Sequence, residues 1–100
     1  MSTARVLIEP AAKEDIREAR DYYADKGENT SMHFRDELVR AFDLISRHPE
    51  ATAIAFSRTR LKPMRQFPYV IGYILHAGVV YVTGVKHGGL GWDAFEQRQF

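Results

Sequence analysis

The chain has 100 residues, 45% of them hydrophobic and 27% charged, a formal net charge of +1 and no cysteine. That length fits one domain, the composition makes a folded chain the default reading over disorder, and the missing thiols exclude disulfides, thiolate metal sites and cysteine nucleophiles. No segment approaches the ~18 apolar residues of a membrane span, the N-terminal apolar run is too short for a signal peptide, and the lack of cysteine fits a reducing cytoplasm.

Arg5-Val6-Leu7-Ile8 is short and β-branched at two positions and stops before Pro10, which predicts a first strand. Pro10 has no amide proton and a fixed φ, so it suits the first turn of a helix, with Glu14 and Asp15 near the positive end of its dipole. Ala12, Ile16, Ala19 and Tyr23 recur on one face of that helix, and Gly27 is the predicted stop. Asn29, Thr30 and Ser31 are candidate N-caps for a second helix. Its buried face reads Phe34, Leu38, Ala41, Phe42 and Ile45, and His48-Pro49 ends it because the residue before proline avoids the α region. Residues 50–57 carry weak signals and predict a loop.

Arg58 to Gln66 alternates basic and apolar residues as an exposed strand does, with Pro63 placing it at an edge or breaking it. Phe67-Pro68 makes a corner. Tyr69 to Leu75 is a continuous apolar run, His76-Ala77-Gly78 a tight turn, and Val79 to Lys86 a further strand. The predicted order β-α-α-β-β-β is an α+β domain: a helical hairpin packed on a small, mostly antiparallel sheet. One domain spans residues 1–100, with a flexible tail from about residue 88.

Charge is unevenly spread. Residues 1–50 carry 8 Lys/Arg and 11 Asp/Glu, a balance of −3; residues 51–100 carry 6 and 2, a balance of +4. No acidic residue lies between Ala51 and Trp92, a window that holds Arg58, Arg60, Lys62, Arg65 and Lys86. Such a surface faces an acidic partner or nucleic acid, or is a solvated sheet face. The four histidines, His33, His48, His76 and His87, include no pair at i, i+4, so no zinc site is expected, and no cofactor motif occurs.

Three motifs in order carry a resemblance. Glu9-Pro10-Ala11-Ala12-Lys13-Glu14-Asp15-Ile16, followed by Ala19 and Tyr22-Tyr23, resembles the opening of RelE/ParE toxins. Arg60-Leu61 through Arg65-Gln66-Phe67-Pro68-Tyr69-Val70-Ile71-Gly72-Tyr73 is similar to the arginine-rich strand and FPY…Y strand of that superfamily. Val82-Thr83-Gly84-Val85-Lys86-His87-Gly88 is similar to its last strand, which commonly ends in histidine. Family members often continue with arginines and Asp-Pro, where this chain has Gly88-Gly89-Leu90-Gly91-Trp92-Asp93.

The resemblance implies the toxin of a type II toxin–antitoxin pair, and the long helical hairpin looks more like the ParE branch, whose members poison DNA gyrase. The expected partner is a cognate antitoxin with an acidic, amphipathic segment. Arg58, Arg60, Lys62, Arg65, Lys86, Trp92 and Phe95 are the expected partner-binding residues. Trp92, Phe95 and Phe100 lie in a polar tail, where they either anchor a partner or fold back over the core. The alternative is a metal-independent endoribonuclease acting on messenger RNA, on the ribosome or free. It would use Arg60 and Arg65 on the phosphorane charge and His87 as acid or base, but no acidic residue stands near His87 in sequence as the second proton-transfer group. A third reading is a non-toxic module that only binds its partner.

Overall fold

A computed structural model of the protein describes residues 3–91, 93–96 and 98. Strand β1 (Arg5–Ile8) runs into helix α1 (Pro10–Ala24), which starts on Pro10 as its fixed φ favours. Helix α2 (Glu28–Arg47) follows after residues 25–27. Gly27 has φ 134°, a conformation side chains avoid, and it is the N-cap of α2. The expected caps Asn29, Thr30 and Ser31 therefore lie inside the helix. As expected, α2 ends before His48-Pro49.

Four more strands follow: β2 (Ile54–Phe56), β3 (Thr59–Pro63), β4 (Tyr69–His76) and β5 (Val79–His87). A short 3-10 turn (Gly88–Leu90) and a four-residue helix α3 (Asp93–Glu96) come after them. The sheet order is β1-β5-β4-β3-β2, with β1 parallel to β5 and every other pair antiparallel. The predicted loop at 50–57 thus contains a strand. It is three residues long and pairs only with Thr59 and Arg60, so the rest of β3 keeps an uncovered outer edge among the described residues. Pro63, with no amide to donate, sits at the last position of β3.

The helical hairpin covers one face of the sheet. Ala12, Ala19, Phe34, Leu38, Ala41 and Ile45 meet Ile71, Tyr73, Val80, Val82 and Val85 there. Ile16, Tyr23 and Phe42 fall at the margin of this core, half-buried. Tyr73 is fully buried, and its hydroxyl donates to the Pro49 carbonyl at 2.8 Å, which meets its polar end and pins the segment after α2 to the sheet. Tyr23, Phe34, Phe67 and Tyr69 make a cluster of rings 4.9–6.0 Å apart at the end of the sheet where β3 turns into β4.

Gly72 pairs with Gly84 and Tyr73 with Val82, so Thr83 is an extra residue in β5, a β-bulge. It returns Val85 to the helix side and leaves two glycines facing each other on the other side. Phe95 fills that space: a Cβ on Gly72 would stand 2.5 Å from its ring, and Phe95 itself is 2% exposed. Phe95, in the stretch expected as a flexible tail, packs on the sheet.

Candidate functional site

The expected site residues fall into separate places. At the end of β5, a cleft of about 180 Å³ is lined by Asp15, Glu18, Ala19 and Tyr22 of α1, Tyr69 of β4, and Val85, Lys86 and His87 of β5. Tyr69 stands opposite His87 in the register, their rings edge to face at 5.7 Å. The Gly89 amide donates to His87 Nδ1 at 3.0 Å, so the neutral ring carries its proton on Nε2. Such a ring offers no free lone pair as a general base. Burial pushes the Tyr69 phenol above its ordinary pKa, helped by Tyr22 and the Glu18 carboxylate, which keeps it a proton donor.

The fold supplies what the sequence near His87 lacked: Glu18 and Asp15 reach this cleft from α1. Asp15, however, is already committed. Its side chain is 3% exposed, accepts the Val85 amide at 3.0 Å and pairs with Lys86 at 2.9 Å. Arg98 makes two further contacts to it and also donates to the Thr83 carbonyl at 3.4 Å. β1 pairs with β5 only as far as Val82, and Asp15 takes over on the same strand where that pairing ends. Asp15 was expected to serve the dipole of α1; it serves the edge of β5 instead. A signal was present: Ala12, Asp15, Ile16 and Ala19 follow i, i+3, i+4, i+7, so Asp15 lies on the apolar stripe. Glu37, also buried, repeats the pattern among Phe34, Leu38 and Ala41.

The remaining cations are spread over the sheet. Arg58 donates to His76 Nδ1 at 2.8 Å. Arg60 donates to the Thr52 carbonyl at 2.6 Å and so holds the segment before β2. Lys62 and Arg65 line a cleft between α2 and β3 together with Glu37, Arg40, Leu44 and Met64. Arg60 and His87 do not converge, and Arg65 and His87 line different clefts. Arg60 pairs with Tyr73 and His87 with Tyr69. Four residues of β4 separate those partners, roughly 13 Å at strand rise, and β4 lies between the two strands.

Phe95 is packed within the chain rather than standing free for a partner, whereas Trp92 and Phe100 lie outside the described residues. Among the described residues no three His, Asp or Glu side chains gather as a metal site, and no helix is long and apolar enough to cross a membrane.

Comparison with known proteins agrees with this architecture. A family model described as the ParE toxin of type II toxin–antitoxin systems, parDE, matches residues 6–90. The solved structure titled "Chromosomal ParDE TA system from P. aeruginosa" superimposes with a TM-score of 0.75, covering 85% of this chain and 96% of that chain. The two are 10% identical in sequence, so the likeness is one of fold. No curated protein sequence matches the chain.

Proposed function

Because this chain belongs to the ParE toxin family of type II toxin–antitoxin systems, we propose that it is a protein-binding poison of DNA gyrase, silenced by a cognate antitoxin. The observation that carries this reading is the dispersal of the cations. Arg58 and Arg60 are engaged with His76 and the Thr52 carbonyl, Lys86 with Asp15, and Lys62 and Arg65 line a separate cleft with Arg40. Phosphoryl chemistry needs cations and proton-transfer groups around one phosphate. A poison needs only a complementary surface.

The test combines purified gyrase with cells. The purified chain should inhibit supercoiling and trap cleaved DNA, and its expression should trigger a DNA-damage response. His87→Ala should leave toxicity within a few-fold. One observation favours the ribonuclease alternative: the cleft at the end of β5 joins Glu18, Tyr69, Lys86 and His87. Cut transcripts, intact supercoiling and an inactive His87→Ala variant would decide for it.

A further inference from the structure

The cleft at the end of β5 brings together three kinds of group that one occupant can use at once. Its α1 wall is Asp15, Glu18, Ala19 and Tyr22. Their spacing, i, i+3, i+4, i+7, keeps them on one face of the helix over roughly 10 Å. Tyr69 and the end of β5 form the other wall. The floor between them is small and apolar, since Ala19 is 2% and Val85 1% exposed.

On the β5 side, two cations meet one carboxylate. Lys86 and Arg98 both pair with Asp15, which leaves one positive charge in excess there. His87 adds its Nε2 proton, because Nδ1 already accepts the Gly89 amide. This side suits an anion. On the α1 side, Glu18 is exposed and pairs with no cation of the described residues, whereas Glu14 and Asp21 of the same helix both hold Arg17. A carboxylate only accepts, so its partner must bring N–H or O–H donors. One turn on, Tyr22 is 54% exposed, and Lys26 Nζ lies 5.0 Å from its ring centre. One face of the ring takes that ammonium, and the other is open to a flat ligand.

An anion, a flat ring and paired N–H donors occur together in a guanine nucleotide. Guanine carries N1–H and N2–H side by side on its Watson–Crick edge, and one carboxylate can accept both. Adenine and cytosine set a ring lone pair beside the amino group, and uracil sets carbonyls beside its N–H. Each of those would turn an acceptor toward Glu18. A bare phosphate would use the β5 side and leave Tyr22 and Glu18 idle.

We propose that this cleft binds a guanine nucleotide, with the base stacked on Tyr22, its edge on Glu18, and the phosphate held by Lys86 and His87. A free mononucleotide and an accessible nucleotide of a single strand share this chemistry. The assignment is a binding site and does not depend on gyrase poisoning.

The experiment titrates the full chain with GMP, AMP, CMP, guanosine and inorganic phosphate, following the NMR resonances of Tyr69 and His87. GMP should bind most tightly, with AMP and CMP about tenfold weaker, as loss of a bidentate pair implies. Glu18→Gln should weaken GMP about tenfold and bring it level with AMP. Tyr22→Ala should weaken GMP and AMP alike, by at least about fivefold. Lys86→Gln should weaken GMP and leave guanosine within twofold; Arg98 remains to hold Asp15 in that variant. Lys62→Gln, in the other cleft, should stay within twofold for every ligand. Circular dichroism melts check that each variant is folded, and Glu18 and Tyr22 are exposed positions where substitution leaves the core untouched. A short single strand with one guanine that binds tighter than GMP would identify a strand as the source, and weaker binding a free nucleotide; either supports the site. GMP and AMP binding alike, phosphate binding as tightly as GMP, or no shift at about 10 mM GMP would each overturn it.

Discussion

Asp15 permits a quantitative test of how the two halves of the fold are joined. Asp15→Ala removes the acceptor of the Val85 amide and the counter-ion of Lys86 and Arg98. A hydrogen bond from a buried amide to a charged group contributes about 1.5–3 kcal/mol. Lys86 and Arg98 side chains are 23% and 24% exposed, so both can turn to water when the carboxylate goes. Their share is therefore nearer that of exposed pairs, up to about 1 kcal/mol each, than the 3–5 kcal/mol of a fully buried pair. The expected loss for Asp15→Ala is about 3–4 kcal/mol. Asp15→Asn keeps an acceptor for the Val85 amide and should lose only the ionic share, about 1–2 kcal/mol. Urea unfolding at pH 7 followed by far-UV circular dichroism gives both values. Equal losses for Asn and Ala, or a loss under about 1 kcal/mol for Ala, would refute the assignment of the amide bond as the main contribution.

Three further outcomes are expected. Gly72→Ala forces its Cβ against Phe95 and should cost about 1–3 kcal/mol; in a Phe95→Ala background most of that cost should vanish, and an unchanged cost in a double-mutant cycle would show that the ring is not the obstacle. Ala77 has φ 50° and Gly78 φ 77°, the signature of a type I′ turn that alanine fits poorly. Ala77→Asn should therefore raise the melting temperature, by the equivalent of about 0.5–1 kcal/mol. Burial raises the pKa of Tyr23 and Tyr69 above the ordinary 10.0. The unfolded chain then loses these protons first, so stability from both is complete below pH 10 and declines as pH rises through the folded values. Denaturant titrations should show this decline and a weaker one in Tyr23→Phe.

How legible the fold was depends on the signal each element leaves. The hairpin α1–α2 and the β4–β5 pair follow from the 3.6-residue stripe and from a long apolar run, signals that span many residues. Strand β2 escaped because three residues, Ile54–Phe56, are too few to show alternation, and pairing to β3 alone makes them a strand. Of the candidate site, the basic wall of β3 was visible as an acid-free window. The roles of its members were not, because Arg60's acceptor is the backbone of Thr52 and a carbonyl has no sequence signature. Glu18 and Asp15 reach the cleft of His87 only because α1 crosses the end of β5, a contact between residues some seventy positions apart. Phe95 was read as either anchoring a partner or folding back over the core, and its ring packs on the glycine pair at 72 and 84.

The parallel pairing of β1 with β5 has a kinetic meaning. Arg5 to Ile8 pair with Val79 to Val82, so the first strand made finds its partner only when most of the chain has been synthesised. The helical hairpin and the β3–β4–β5 meander close through short loops and can form from local contacts. Closing the loop between β1 and β5 is entropically costly until both of those units exist to reward it. During synthesis, the N-terminal half therefore leaves the ribosome with its apolar helix faces bare. Pairing of β1 along β5 then joins the N-terminal half to the meander.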